Sequence, residues 1–558
     1  MKASVWIQSL LLNNGTTIAL DKNSVVVFVG PNNSGKSRIL SEIYGTIVHP
    51  YNFTINFIVK EIQFGKQGDE NDLLERFKNN LSVNKEYVLS PHAINEQTLK
   101  NLWAEPSFNT YQINGGFTKK LDTADRLHLV TPPANIDFLN SLPVHPIHHL
   151  YKDDKLEKKF SGYFKQAFGE DVIVNHGAGS QIPLHIGLRP ETTLEKDRLS
   201  REYQEELRTL NVLHDQGDGM KSFAGVLLSL MVQDFSINIV DEPEAFLHPP
   251  QAKLLGQMVA KEIGNDKQLF LATHSADFLK GLLENSGERL VVIRIQRNGK
   301  VNKLNILDNA SIKELWNDPL LKHSNILDGL FHSKVVLCES DGDCQFFSAL
   351  TDAIYEAEGK TSPDILFVQS GGKARFPVVI KALKKMEVPL TIIGDFDWYH
   401  NEYPLRTVYE ETGGAWDDIK DDFKIVKSAI EKRKPDLEVK DLKEAIENIF
   451  TDVKGNIMPD EKIKEIQKEL KKASPWSQAK SSGKAYLPGG DETKAFNRVQ
   501  QKIQEKKIYI LEVGEMESFD KTVGGHGPKW VNEVLSKDIL NDKELEPARK
   551  FVKDAILT

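Results

Sequence analysis

Val25-Val26-Val27-Phe28-Val29-Gly30-Pro31-Asn32-Asn33-Ser34-Gly35-Lys36-Ser37 decides the fold of the first half of this chain. Its unbroken apolar run is the pattern of a strand buried on both faces. Gly30 to Ser37 then fits G-x-x-x-x-G-K-[ST] at every position, after a strand and at the opening of a helix. In such a loop the glycines let backbone N–H groups curl around phosphates. Lys36 reaches the β- and γ-phosphates, and the Ser37 hydroxyl ligates Mg²⁺. Gly30, Asn32, Asn33, Ser34, Gly35, Lys36 and Ser37 are therefore the candidate ATP-binding residues.

Working outward, two later stretches belong to the same chemistry. Ser236 to Val240 reads as a buried strand and ends on Asp241-Glu242-Pro243. Asp241 is placed to hold the Mg²⁺ water shell, and Glu242 to polarise the attacking water as general base. Leu269 to Ala272 is a second buried strand, followed by Thr273-His274-Ser275, which would set His274 beside the γ-phosphate. An Asp-Glu pair or a histidine alone is usually surface charge or core polarity; the strand ends give these their weight.

A different acidic set lies in the second half. Val335-Val336-Leu337-Cys338 carries Glu339 at a strand end, and Asp343 follows four residues later. Thr391-Ile392-Ile393-Gly394 delivers Asp395 and Asp397 at another strand end. Alternate residues of a strand share a face, so Asp395 and Asp397 can address one site. Crowded carboxylates repel and raise one another's pKa unless cations neutralise them. Mg²⁺ or Mn²⁺ with oxygen ligands is the natural complement, and such ions activate water against phosphodiesters. Either half alone is common as surface charge. Ser370-Gly371-Gly372-Lys373, after a strand, has the composition to approach a phosphate but reads first as an ordinary turn.

The totals narrow the class. A chain of 558 residues holds two to four domains, and 40% hydrophobic with 27% charged residues is ordinary for a globular protein. The net charge of −9 excludes a surface coated for nucleic acid, so any such partner is gripped by a local patch. Cys338 and Cys344 cannot form a disulfide framework or a four-cysteine zinc site, and read as reduced thiols. No apolar run approaches the roughly 18 residues of a membrane helix, and the first residues show no basic stretch followed by an apolar core and a small-residue cleavage site, so no secretory leader is expected. A cytoplasmic location without membrane contact is the expectation.

The first set resembles the ABC-type ATPases of the SMC and RecF kind, through Gly-Pro-Asn-Asn-Ser-Gly-Lys-Ser, Asp-Glu-Pro-Glu-Ala-Phe-Leu-His-Pro and Ala-Thr-His-Ser. The resemblance implies a signature loop that completes the nucleotide site of a partner protomer. Gln216 to Ser222, with Gly217 and Gly219, matches it although it departs from L-S-G-G-Q; Gln63 matches the lid glutamine. The second set resembles the Toprim domain of topoisomerases, primases and OLD (overcoming lysogenisation defect) nucleases, with Ser340 where that family has glycine. Toprim after an ABC-type ATPase is the OLD layout, and the Gabija nuclease subunit and retron-associated effectors look similar. The motifs cover about 1–45, 213–290 and 334–400. The resemblance also implies a later acidic residue, Glu515 or Glu517, and a lysine, Lys529, stabilising charge on the phosphorane.

The expected fold is α/β. An ABC-type P-loop ATPase occupies 1–320, with a helical, dimerising insertion at about 100–212 that includes a charged helix at 194–210. A linker at 321–333, with a connecting helix from about 310, leads to a Toprim nuclease domain at 334–558 carrying a helical insert at about 415–480. The implied activity is ATP-dependent, metal-dependent DNA cleavage by a homodimer or higher oligomer, in antiphage defence and with a defence partner subunit or nucleic acid. DNA contact falls to lysines such as Lys462, Lys464, Lys471 and Lys472, a run that reads first as a solvated helix face. A competing reading is a RecF-like clamp or sensor with a silent Toprim fold. A topoisomerase needs an attacking tyrosine, for which Tyr399 is poorly placed, and a primase usually needs a zinc module.

Overall fold

A computed structural model describes residues 2–49, 57–82, 84–89, 92–105, 111–299, 301–307, 325–433, 438–451, 453, 457–471 and 474–558. The chain forms two compact units, Met1–Glu314 and Leu315–Thr558. Lys472 and most of the expected connecting segment, residues 308–324, lie outside the described residues.

The first unit is built on a six-stranded sheet. Its order is Val301–Leu307, Leu290–Asn298, Val25–Val29, Gln268–Ala272, Ile237–Asp241 and Thr118–Leu121. Val25–Val29 is central, buried at every residue, with Val27 opposite Leu271 on one side and Val292 on the other. Its neighbours run parallel and both faces are covered, which is why the strand is apolar throughout and not alternating. Parallel strands deliver their carboxyl ends to one edge, where ligands of such sheets bind. Gly30, Asp241 and Thr273 all stand at that edge.

Thr118–Leu121 pairs with Ile237–Asp241, placing Leu121 beside Val240. The stretch expected as an insertion at about 100–212 thus contributes the outermost strand of the main sheet. Thr-Lys-Lys-Leu buries only its two ends, so no apolar run marked it. The rest of that stretch holds short helices, the helix Asp154–Phe168 and an antiparallel sheet of Asp171–Val174, Leu184–Gly187 and Asn211-Val212. Of the charged segment at 194–210, Arg201–Arg208 is helical, capped by Ser200 and burying Tyr203 and Leu207.

The second unit centres on a four-stranded parallel sheet, in the order Ile365–Gln369, Lys334–Cys338, Leu390–Gly394, Ile508–Ile510. The helix Asp341–Ala357 packs through Phe346, Phe347 and Leu350 into a core with Trp530 and Phe519. Between the third and fourth strands in chain order lie the helices Glu402–Glu411, Lys420–Lys432, Val439–Thr451, Asp460–Lys471, Pro475–Ser482 and Asp491–Gln504. Cys338 and Cys344 are buried and unlinked, and burial pushes the Cys338 thiol well up, as suits a reduced structural thiol. Among the described residues no helix is long and apolar enough to cross a membrane.

Candidate functional site

The Gly30–Ser37 loop owes its shape to backbone that few residues tolerate. Gly30 has φ +146, and a Cβ there would lie 2.2 Å from the Ile295 carbonyl oxygen. Gly35, at φ +105, caps the helix Lys36–Val48. The Asn302 side-chain amide donates to Ser34 O at 2.7 Å, fastening the loop to the neighbouring antiparallel strand. Lys36 is buried and its Nζ donates to Gly30 O and Pro31 O, both at 2.8 Å, so its charge is held inside the curl. Asn32, Asn33 and Ser37 stay exposed along the loop, whereas Ser34 is buried and its hydroxyl has no partner among the described residues.

Across the sheet edge, Ser37 Oγ donates to Asp241 Oδ1 at 3.2 Å. A hydroxyl and a carboxylate converging this way are the donors a hard divalent cation takes. Burial raises the Asp241 pKa against the hydrogen bond from Ser37. Glu242 adopts φ +47, and His274 Nε2 lies 2.7 Å from Glu242 Oε1. The same turn buries Glu244, which accepts Thr273 Oγ1 at 2.6 Å and His274 N at 2.8 Å. Gly217 caps the helix Asp218–Val232 in open space, and Gly219 lies against Phe246 O, where a Cβ would sit 2.7 Å away. Gln63 is on the strand Val59–Gln67 and accepts from Ser9 Oγ at 3.1 Å.

The second unit gathers Glu339, Asp395 and Asp397, whose nearest carboxylate oxygens lie within 4.8 Å of one another. Each follows a strand end of the parallel sheet, so the topology brings them together. Glu339 Oε2 and Asp397 Oδ1 are buried without a hydrogen-bond partner among the described residues. Burial raises the Glu339 pKa and pushes Asp395 up to about 8, beyond what nearby Lys480 offsets. Buried acceptors left unmet are costly. An all-oxygen donor set with two orphaned atoms fits Mg²⁺ or Mn²⁺.

Asp343 lies close enough for its charge to raise the pKa of Glu339 and Asp395, though its carboxylate is not among those three grouped ligand atoms. Its Oδ2 accepts Ser340 N and Ser340 Oγ, both at 2.9 Å, in a capping box at the head of Asp341–Ala357. Ser340 has φ −128, an extended conformation, so the turn needs no glycine there. Glu517 belongs to a second group with Glu515 and His526, again with ligand atoms within 4.8 Å. His526 Nδ1 at 2.7 Å and Gly527 N at 2.8 Å both address Glu517 Oε1. Burial would raise the Glu517 pKa, and these contacts hold it below the ordinary value. Lys529 is exposed, with its methylenes over Gly525.

Family comparisons separate the two units cleanly. Residues 25–279 match the family described as "AAA domain, putative AbiEii toxin, Type IV TA system". Residues 330–397 match "Overcoming lysogenization defect protein-like, TOPRIM domain". The chain thus carries an AAA-type ATPase domain followed by an OLD-like TOPRIM domain. Solved structures similar to it include an SmcHead bound to the C-winged helix domain of ScpA, at 11% identity. That match covers 55% of this chain and 99% of that one, with a TM-score of 0.35. The SMC head domain from Thermotoga maritima is 11% identical, covering 55% and 100%, with a TM-score of 0.29. No curated protein matches the chain in sequence.

Three basic residues complete these sites unannounced by any motif. In the TOPRIM unit, Lys480 Nζ lies 3.0 Å from Asp395 Oδ2, 3.6 Å from Glu515 Oε2 and 3.7 Å from Asp397 Oδ2. It bridges the two acidic groups; burial works against its charge, but the carboxylates prevail and raise its pKa. Lys373 pairs with Asp397 from the Ser370–Lys373 turn, whose Gly372 N donates to Glu339 O at 3.3 Å. The turn therefore wraps the TOPRIM site. In the ATPase unit the third is Arg126, wholly buried behind Asp241. Proximity in sequence gave no signal for any of them, although Ser-Gly-Gly-Lys after a strand was a hint for Lys373.

Proposed function

We propose that this chain is an ATP-binding and ATP-hydrolysing, divalent-metal-dependent DNA endonuclease of the OLD type, acting in the cytoplasm in antiphage defence. The observation that carries the reading is the trio Glu339, Asp395 and Asp397, with two buried, unpartnered carboxylate oxygens. Those side chains would hold the cation. When bound, Mg²⁺ or Mn²⁺ supplies an activated water and neutralises charge on a phosphodiester. Lys480, beside the trio, stabilises negative charge developing on the phosphoryl oxygens, the role expected of Lys529. Glu515, Glu517 and His526 offer a second set of ligands at the far side of Lys480. Asp343 fixes the turn after Glu339 through its bonds to Ser340.

In the ATPase unit, the loop amides and Lys36 bind phosphates, while Ser37 and Asp241 are the Mg²⁺ donors. Glu242 takes the proton of the attacking water, and His274 aims its carboxylate. Gly217 and Gly219 lie at the turn that a second copy's nucleotide would meet in a homodimer, and nucleotide state would gate DNA access to the TOPRIM unit.

The test is cleavage of supercoiled, linear and single-stranded DNA in Mg²⁺ or Mn²⁺, with and without ATP. Wild type should cut at least one form, and Glu339→Gln and Asp395→Asn should cut at least about 10²-fold more slowly, the scale of losing an electrostatic contact in the transition state. DNA binding without metal-dependent cutting of any form would replace the nuclease with the silent clamp.

A further inference from the structure

Arg126, like Arg294, is an arginine of the ATPase unit with no exposed surface, and the nucleotide motifs do not include it. It stands on the short helix Thr123–His128, which follows the outer strand Thr118–Leu121. Each arm of its guanidinium is committed. Nη1 donates to the Asp241 carbonyl oxygen at 2.6 Å, Nε to Ser222 Oγ at 2.9 Å, and Nη2 to Thr123 Oγ1 at 3.1 Å.

Two of those acceptors belong to different machinery. The Asp241 carbonyl is half of the peptide group joining Asp241 to Glu242. The N–H of that same peptide donates to Ala272 O at 2.9 Å. The peptide is therefore clamped on both sides, by Arg126 and by the neighbouring strand. Its orientation sets the direction of Glu242, which sits at φ +47, where a residue with a Cβ stays only if its surroundings hold it. Ser222 is the other end of the link. It is buried in the first turns of the helix Asp218–Val232, directly after the Gly217–Gly219 turn. Gly225 lets this helix touch the Arg126 backbone, since a Cβ there would lie 2.1 Å from Arg126 O.

We infer that Arg126 is a positioning residue that holds Glu242 in its left-handed conformation and ties it to the helix Asp218–Val232. A displacement of that helix is then passed through Ser222 and the guanidinium to the peptide that aims the base. The inference rests on the reading that Glu242 drives ATP hydrolysis at this site.

The experiment measures ATP affinity by calorimetry and hydrolysis by phosphate release in the full chain. The proteins are wild type, Glu242→Gln, Arg126→Met, Arg126→Lys and Ser222→Ala. Arg126→Met should lower kcat about 10²-fold while the ATP Kd moves less than about threefold, because Lys36 and the loop are untouched. Arg126→Lys, which keeps a donor for Asp241 O, should recover at least tenfold of that loss. Ser222→Ala, the mildest change to the core, should lower kcat several-fold at unchanged Kd. Rates within threefold of wild type for Arg126→Met and Ser222→Ala, with Glu242→Gln inactive, would overturn the positioning role alone. So would kcat and affinity falling together, or no rescue by lysine. Absence of hydrolysis in wild type, or an active Glu242→Gln, would overturn the ATPase reading and the inference with it.

Discussion

Replacing Lys480 by methionine isolates the electrostatics of the TOPRIM site, because the methylene stem is kept and only the charge is lost. Lys480 faces Asp395, Glu515 and Asp397 at 3.0, 3.6 and 3.7 Å. The carboxylate side chains are 11–18% exposed and the lysine 33%. Removing one partner of a buried ion pair costs about 3–5 kcal/mol, whereas an exposed pair is worth about 0–1 kcal/mol. A lysine one-third exposed lies between, so the loss should be about 2 kcal/mol. For a unit of this size 1 kcal/mol moves Tm by about 2–4 °C, giving a fall of about 4–8 °C without divalent metal. Mg²⁺ should then do what the ammonium did. At 100 times its Kd a ligand stabilises by about 2.7 kcal/mol, enough to restore the variant. Protonation also relieves the crowding, so the deficit should be smaller at pH 6 than at pH 9. Differential scanning calorimetry in EDTA and in Mg²⁺ measures both effects. A variant melting with wild type in EDTA at pH 9, or one that Mg²⁺ fails to restore, would refute the reasoning.

Four further outcomes follow from the geometry of the two sites. Asp395, raised to about 8 by burial, carries its proton in the metal-free chain near neutrality. A bound cation must displace that proton, so Mn²⁺ affinity should rise with pH up to about 8 and flatten above it, with proton release seen by titration calorimetry in buffers of differing ionisation enthalpy. By the same sign, a folded pKa above the unfolded value means that metal-free stability falls as pH rises from about 4 towards 8, which melting curves in EDTA would show. Gly30→Ala should abolish ATP binding in a calorimetric titration, since its Cβ would meet Ile295 O at 2.2 Å and φ +146 excludes alanine. Ser340→Ala should cost about 1 kcal/mol in urea unfolding through loss of the capping box, and Ser340→Gly only a few tenths.

The parts legible in sequence were those where chemistry coincides with a strand end. Val25–Val29 is apolar because both of its faces are covered, and the loop after it is fixed by glycines whose backbone no other residue adopts. Glu339, Asp395 and Asp397 could be read together because each follows an apolar strand. Lys480 could not. It is one lysine among many in a charged helical stretch, and what selects it is packing between backbones far apart in sequence. A Cβ on Gly514 would lie 2.0 Å from Lys480 O, and one on Gly483 would lie 2.1 Å from Glu512 O, so the helix Pro475–Ser482 seats on the segment after Ile508–Ile510. Arg126 was hidden differently: the strand before it buries only two of its four residues, and periodicity has nothing to grip. Asp343 was legible as an acid near a strand end, but its partner Ser340 is set by helix capping, a local contact that competes for the same oxygen.

The measurement closest to the central claim is anomalous diffraction from crystals of the full chain soaked in Mn²⁺. The expected result is a peak bonded to oxygens of Glu339, Asp395 and Asp397, with the Lys480 ammonium moved off Asp395. A well-ordered site with no peak among those carboxylates, and Lys480 still paired to Asp395, would contradict it.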